Sequence, residues 1–246
     1  MLRMLRVEFM KMQWPLVGLV VLLGPLIAVV LGLNPGAGAG AEAWKLAYGF
    51  ATVRYAWLFY PLLAGVLAAL VCRPEHMGGG WKQLLALPVS RSTVYGAKFF
   101  VLVGLLAVAN LVFGAVFIVA EMAVGLSAAD IPWSEMGPSL LGGWIAVLPL
   151  AAVQLWVSSR WKSFGAALAL NVCLTLPAIF AAQSHEIGPW YPWAQPVLAM
   201  SGLGPSSAKG MALGLSMTTL WVVIGGGLAV ALIGGLVTFA RADVRQ

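Results

Sequence analysis

The sequence predicts an all-α, polytopic membrane protein with six transmembrane helices, an N-terminal amphipathic helix and a short helix in its largest loop. Three observations predict it. Of 246 residues, 61% are apolar and 9% charged, with a mean hydropathy of +0.95. A soluble domain has roughly 45–50% apolar residues, so this chain holds more apolar surface than one core can bury, and lipid must solvate most of it. The apolar residues form long runs of about 20, the length that crosses a bilayer core. Lys and Arg gather at the ends of these runs instead of within them.

The first run, 14–33, follows Arg3, Arg6 and Lys11 and precedes "NPGAGAGAEA". It exceeds the roughly 7–15 residues of a secretory leader's apolar core, and reads as a span and not as a cleaved signal. Ahead of it, Leu2, Leu5, Phe9 and Met12 recur at helical spacing among basic residues. That pattern fits a short helix along the inner leaflet, and equally a frayed basic anchor. Further spans fall at 50–71, 99–124, 140–157, 164–182 and 211–240. The fourth is short and carries Pro149, and the sixth is long and rich in glycine, so the pattern defines their bounds least. Between the fifth and sixth, "PWYPWAQPVLAMSGLGP" is too interrupted by proline to cross, yet apolar enough to lie at or dip into the outer interface. The spans make residues 1–246 a single transmembrane domain.

Charge sets the orientation. With the N-terminus inside, the cytoplasmic segments hold Arg3, Arg6, Lys11, Arg73, Lys82, Arg91, Lys98, Arg160, Lys162, Arg241 and Arg245, and the outer segments only Lys45 and Lys209. Eleven against two places both termini in the cytoplasm of a multi-pass cell-membrane protein. The net charge of +6 is spread over short clusters at span ends, where it meets anionic lipid headgroups, and no basic face for nucleic acid results. Arg54 and Glu121 stand near the outer ends of spans two and three, where they can pair or be wetted by the interface.

Several chemistries lack their residues. Aligned on Lys209, "GLGPSSAKG" at 202–210 puts Leu203 and Ala208 where a phosphate-binding loop needs glycine, so the chain does not hydrolyse ATP alone. "HEIG" at His185 has no second histidine four residues on. Cys72 and Cys173 lie several spans apart in apolar context and suggest neither a disulfide framework nor a metal site. No ionisable group is evident near a span's midplane, where a charge costs about 2.5–3.5 kcal/mol. This counts against an ion-driven secondary transporter, and the lack of a catalytic set counts against an intramembrane enzyme. The aromatic residues Trp133, Trp190, Tyr191 and Trp193 are candidates for touching an amphipathic substrate in the outer leaflet; an interfacial belt is the other reading.

The largest cytoplasmic segment, Glu75 to Lys98, is not a passive connector. After Gly78, Gly79 and Gly80 comes "WKQLLAL", in which Trp81, Leu84 and Leu85 fall at i, i+3 and i+4, with Leu87 closing the run. Pro88 ends this helix, and Ser90 or Ser92 can cap the next. An apolar stripe held beneath the membrane needs a cover, from lipid headgroups or from a groove on a partner.

Glu75, the glycines, "WKQLLALPVSR" and Lys98 resemble the first cytoplasmic loop of ABC-2 type transporter permeases, closest to those of the lantibiotic-immunity and bacitracin-resistance type. "RVEFMKMQW", with Glu8 and Lys11, is similar to that family's entry helix. The resemblance implies that the loop is a coupling helix received by a separate ABC ATPase subunit. Glu75 would begin it, Gly80 precede it, Trp81 to Leu87 dock, and Pro88, Arg91 and Lys98 lead back to the membrane. It further implies a second permease subunit, identical or related, no cofactor in this chain, and ATP with Mg bound by the partner. The implied function is ATP-driven movement of an amphipathic peptide or lipid-like molecule out of the membrane, with immunity to a peptide antibiotic as one form of it.

Overall fold

Apolar periodicity decides where each helix runs in this chain, and interior prolines decide where it bends or stops. The structure, a computed structural model, describes residues 2–33, 39–77, 90–161, 163–205 and 216–241. In chain order the helices are α1 (Leu2–Lys11), α2 (Trp14–Val30), α3 (Gly40–Arg54), α4 (Tyr60–His76), α5 (Arg91–Ala123), α6 (Trp133–Ala146), α7 (Leu148–Arg160), α8 (Phe164–Thr175), α9 (Ala178–Ala182), α10 (Gln195–Leu203) and α11 (Met217–Arg241). A π-helical turn, Tyr55–Phe59, joins α3 to α4, and no strand occurs among the described residues.

Among the described residues, four helical rods are long and apolar enough to cross a membrane: Gly40–His76, Arg91–Ala123, Trp133–Arg160 and Met217–Arg241. The pair α1 and α2, bent by 83°, makes a fifth if it is counted as one span. This is fewer than the six expected, and the shortfall has a local cause. The run 164–182 is divided: α8 has 12 residues, and Pro177 precedes the five-residue α9. Twelve residues rise about 18 Å, well short of a hydrocarbon core of about 30 Å. The rod Gly40–His76, by contrast, overruns its apolar stretch 50–71 at both ends, because hydropathy marks only the lipid-matched part of a longer helix. The expected weakness at Pro149 is a break at Val147, with Pro149 in the first turn of α7.

Helix α4 is the centre of the bundle and packs against α2, α5, α7 and α8. An aromatic column fills one half of the core: Tyr55 stacks on Phe113 at 4.0 Å and on Tyr60 at 5.0 Å, and Tyr48 meets Phe117 edge-on. The other end of the bundle holds α1 and the C-terminal ends of α4 and α11. Segment 189–205 leaves Trp190 exposed and turns inward after it. Its helix α10 buries Gln195 to Ser201 and packs against α6. That approach requires Gly142 and Gly143, since a Cβ on either would run into Leu203 or Met200.

Candidate functional site

Three helix ends bring four charges together. On α1, Met4 and Glu8 face inward against α5, as does Met12 just after it, while Val7, Phe9 and Met10 stay exposed. The exposed Phe9 stacks on Trp14 at 5.2 Å, and the Trp14 indole N–H donates to the Phe9 carbonyl. The apolar stripe read from Leu5, Phe9 and Met12 is thus split between the protein and its surroundings. What α1 turns into the bundle is a carboxylate.

Glu8 meets Glu75 from the last turn of α4 and Lys98 from the second turn of α5. The Lys98 ammonium donates to Glu8 Oε2 and Glu75 Oε2, each at 2.7 Å, and to the Val71 carbonyl at 2.9 Å. Its three protons therefore each have an acceptor. Lys11 closes the ring on the outer side, 2.9 Å from Glu8 Oε1 and 3.0 Å from Glu75 Oε1. The Lys98 side chain is 1% exposed and Lys11 28%. Two acids and two bases cancel, and every carboxylate oxygen is used. Such an arrangement offsets the desolvation of buried charge, which costs several kcal/mol per ion when unpaired.

Pro74 has no N–H for the Leu70 carbonyl, and Lys98 donates to the next carbonyl along, that of Val71. Ser90 caps α5 by accepting the Thr93 N–H at 3.2 Å, which fixes the helix that carries Lys98. Arg91 Nη1 donates to the Ala240 carbonyl at 2.9 Å, tying the start of α5 to the end of α11. Glu75 and Lys98 thus stand on either side of segment 78–89. Gly80, Trp81, Leu84, Leu85, Leu87 and Pro88 lie outside the described residues; Glu75 and Arg91 lie within them.

A second polar node sits deeper. Asn171 of α8 is fully buried; its amide donates to the Pro61 carbonyl at 3.0 Å, and its oxygen accepts from Gln154 at 2.9 Å and from the Trp193 indole at 2.8 Å. Gly65 admits the Asn171 side chain, which a Cβ would strike. The four aromatic residues named as substrate candidates divide accordingly. Trp133 and Trp190 are 61% and 70% exposed, Tyr191 donates its hydroxyl to the Leu174 carbonyl at 2.6 Å, and Trp193 is buried. No ion pair joins Arg54 to Glu121 among the described residues; Arg54 lies over the Phe50 ring at 5.8 Å.

Sequence reasoning singled out Glu8, Lys11, Glu75 and Lys98 one by one but not their meeting. The signal was present, since acids and bases stand at three helix ends on one side of a chain that is 9% charged. Asn171 and Gln154 were missed altogether. Amides inside apolar runs were the available sign of them.

Comparison with known proteins adds one family. A family model described as ABC-2 family transporter protein matches residues 4–178, a stretch that contains all four charges of the ring and Asn171. No curated protein matches the chain.

Proposed function

The chain belongs to the ABC-2 family of transporter proteins, its match extending over more than half of its length, and on that premise we propose that segment 78–89 is the coupling helix on which an ABC ATPase subunit acts. The observation that carries this reading is the ring of Glu8, Lys11, Glu75 and Lys98. It locks the two ends of that segment to each other and to α1. A push on a loop moves its helices together only if the loop's ends are joined, and buried ion pairs join them more rigidly than lipid contact does.

In this reading the chain is one permease domain of six crossings with both termini cytoplasmic. Helix α2 supplies the first crossing, and α8 with α9 the fifth. The eleven-to-two distribution of Lys and Arg supports the orientation. Trp81, Leu84, Leu85 and Leu87 dock in the ATPase groove, Gly80 and Pro88 bound the docking helix, and Glu75 and Arg91 anchor it. ATP and Mg are bound by the partner, and this chain has no catalytic role. A second permease, identical or related, completes the assembly.

The cargo is an amphipathic peptide or lipid-like molecule, taken from the membrane and moved outward. Likeness of the loop to lantibiotic-immunity and bacitracin-resistance permeases supports antibiotic-peptide immunity as the form this takes. Trp133 and Trp190 are exposed and available to such a molecule. Replacing Leu84 and Leu85 by Asp tests the docking role. The partner ABC ATPase is expected to be lost from detergent pull-downs, with membrane insertion unchanged. Undiminished co-purification, or transport driven by a proton gradient without ATP, would overturn the proposal.

A further inference from the structure

We propose that the cavity between the ends of α4, α7 and α8 binds the phosphate of an anionic phospholipid headgroup, a site independent of ATPase docking. The cavity has a volume of about 280 Å³ and is lined by Arg73, His76, Ser158, Trp161, Ser163 and Phe164 among others. Drug-sized ligands occupy about 300–1,000 Å³, so this space takes a headgroup and leaves acyl chains outside.

Three donors converge on it. The Arg73 guanidinium donates once to Gln13 Oε1 at 3.3 Å; of its five N–H groups the remainder suit an oxyanion. The 12-residue α8 begins here, and Ser163 Oγ accepts only the Ala166 N–H. The amides of Phe164 and Gly165 have no acceptor within the helix and point toward its start, where a phosphate is favoured. Ser158 is the independent sign of a ligand. It is 3% exposed, its hydroxyl has no hydrogen-bond partner, and it lines this cavity. The His76 Nε2–H donates to the Ser158 carbonyl at 2.7 Å and holds that residue in place. A buried hydroxyl without a partner is costly, and a phosphate oxygen would relieve it.

The surroundings favour a lipid over a free phosphate. Trp161 is 43% exposed at the cavity, an amphipathic ring at headgroup level. From the cavity, Phe164, Leu168, Val172 and Leu176 follow one another at four-residue spacing along α8; Phe164, Val172 and Leu176 are exposed. They form an apolar track beside which an acyl chain can lie.

The test uses the full chain in mild detergent, titrated with dioctanoyl phosphatidylglycerol or with inorganic phosphate, and reads the midpoint of thermal unfolding. The lipid is expected to raise the midpoint in the native protein and in a control, Lys45→Gln, at the opposite end of the bundle. Arg73→Gln and Ser158→Ala are each expected to need about tenfold more lipid for the same shift, the loss of one hydrogen bond to a charged group. Ser158→Ala removes a single oxygen, so it decides the matter if Arg73→Gln does not fold. Equal responses in Ser158→Ala and native protein would overturn the site. Inorganic phosphate matching the lipid would overturn the lipid assignment.

Discussion

Replacing Lys98 by Met tests the ring most directly. Methionine keeps the length and apolar stem of lysine but removes the ammonium, and with it the bonds to Glu8, Glu75 and the Val71 carbonyl. Lys11 remains, 28% exposed, so one partly wetted cation must serve two buried carboxylates. Two like charges about 4 Å apart repel by about 4 kcal/mol at an effective dielectric of about 20, and breaking a buried pair by deleting one member costs about 3–5 kcal/mol. Adding Glu75→Gln removes the repulsion and leaves Glu8 with Lys11 at 2.9 Å; the double variant is expected to lose only about 1–2 kcal/mol. The assay is denaturant unfolding in mild detergent followed by tryptophan fluorescence, with Glu75→Gln alone completing the cycle. A Lys98→Met loss within about 1 kcal/mol of native, or losses that simply add in the double variant, would refute a coupled buried ring.

Trp190 and Trp193 are expected to behave differently. Trp193→Ala removes a buried indole and its bond to Asn171 and is expected to cost about 3–5 kcal/mol. Trp190→Ala alters an exposed ring and is expected to leave unfolding within about 0.5 kcal/mol, while weakening substrate-stimulated ATPase activity of the assembled transporter if Trp190 touches cargo; an unaltered response would leave Trp190 a belt residue. Gly65→Ala drives a methyl group into the Asn171 amide and is expected to cost about 1–3 kcal/mol. Adding Asn171→Ser shortens the obstructing side chain and should recover part of that loss; no recovery would mean that the cost arises elsewhere.

The rods of the fold were legible because lipid imposes a single rule, long apolar runs, and the chain obeys it at 50–71, 99–124 and 211–240. The rule fails where protein replaces lipid as the neighbour. Segment 164–182 is apolar apart from Asn171 and Thr175, so composition reads it as one span; only Pro177 hints that the helix breaks after Thr175. Residues 189–205 look interfacial because of their prolines, yet α10 is buried, since Gly142 and Gly143 make room for it. The same holds for the site. The sequence shows that Glu8, Lys11, Glu75 and Lys98 end up on one side, by their place at helix ends. It does not show that Glu8 faces inward, because helical spacing groups Leu2, Leu5, Phe9 and Met12 as an apolar face for the inner leaflet. Burial of an acid in preference to Phe9 depends on a partner contributed by α5, 90 residues away in sequence.

The two polar nodes share a logic centred on α4. Each sits at a proline, where the helix lacks a backbone donor. Pro61 follows the π-helical turn, whose Tyr60 N–H reaches back to the Tyr55 carbonyl, and Asn171 of α8 donates to the Pro61 carbonyl. Pro74 stands near the other end, and Lys98 of α5 donates to the Val71 carbonyl. Proline alone would make these two places hinges. A side-chain donor from another helix at each place stiffens the rod and ties it to that neighbour. Beside the first node the Tyr60 hydroxyl donates to the Leu106 carbonyl at 3.1 Å, a further tie to α5. Movement imposed at Glu75 would then reach Asn171, and through it Trp193 and the segment leading to α10, without being lost in bending of α4. The observable consequence is a pairing of effects: Asn171→Ala, far from the docking segment, is expected to leave ATPase binding in pull-downs intact and to reduce transport per ATP hydrolysed. Undiminished transport per ATP in that variant would show that α4 carries the motion without its second clamp.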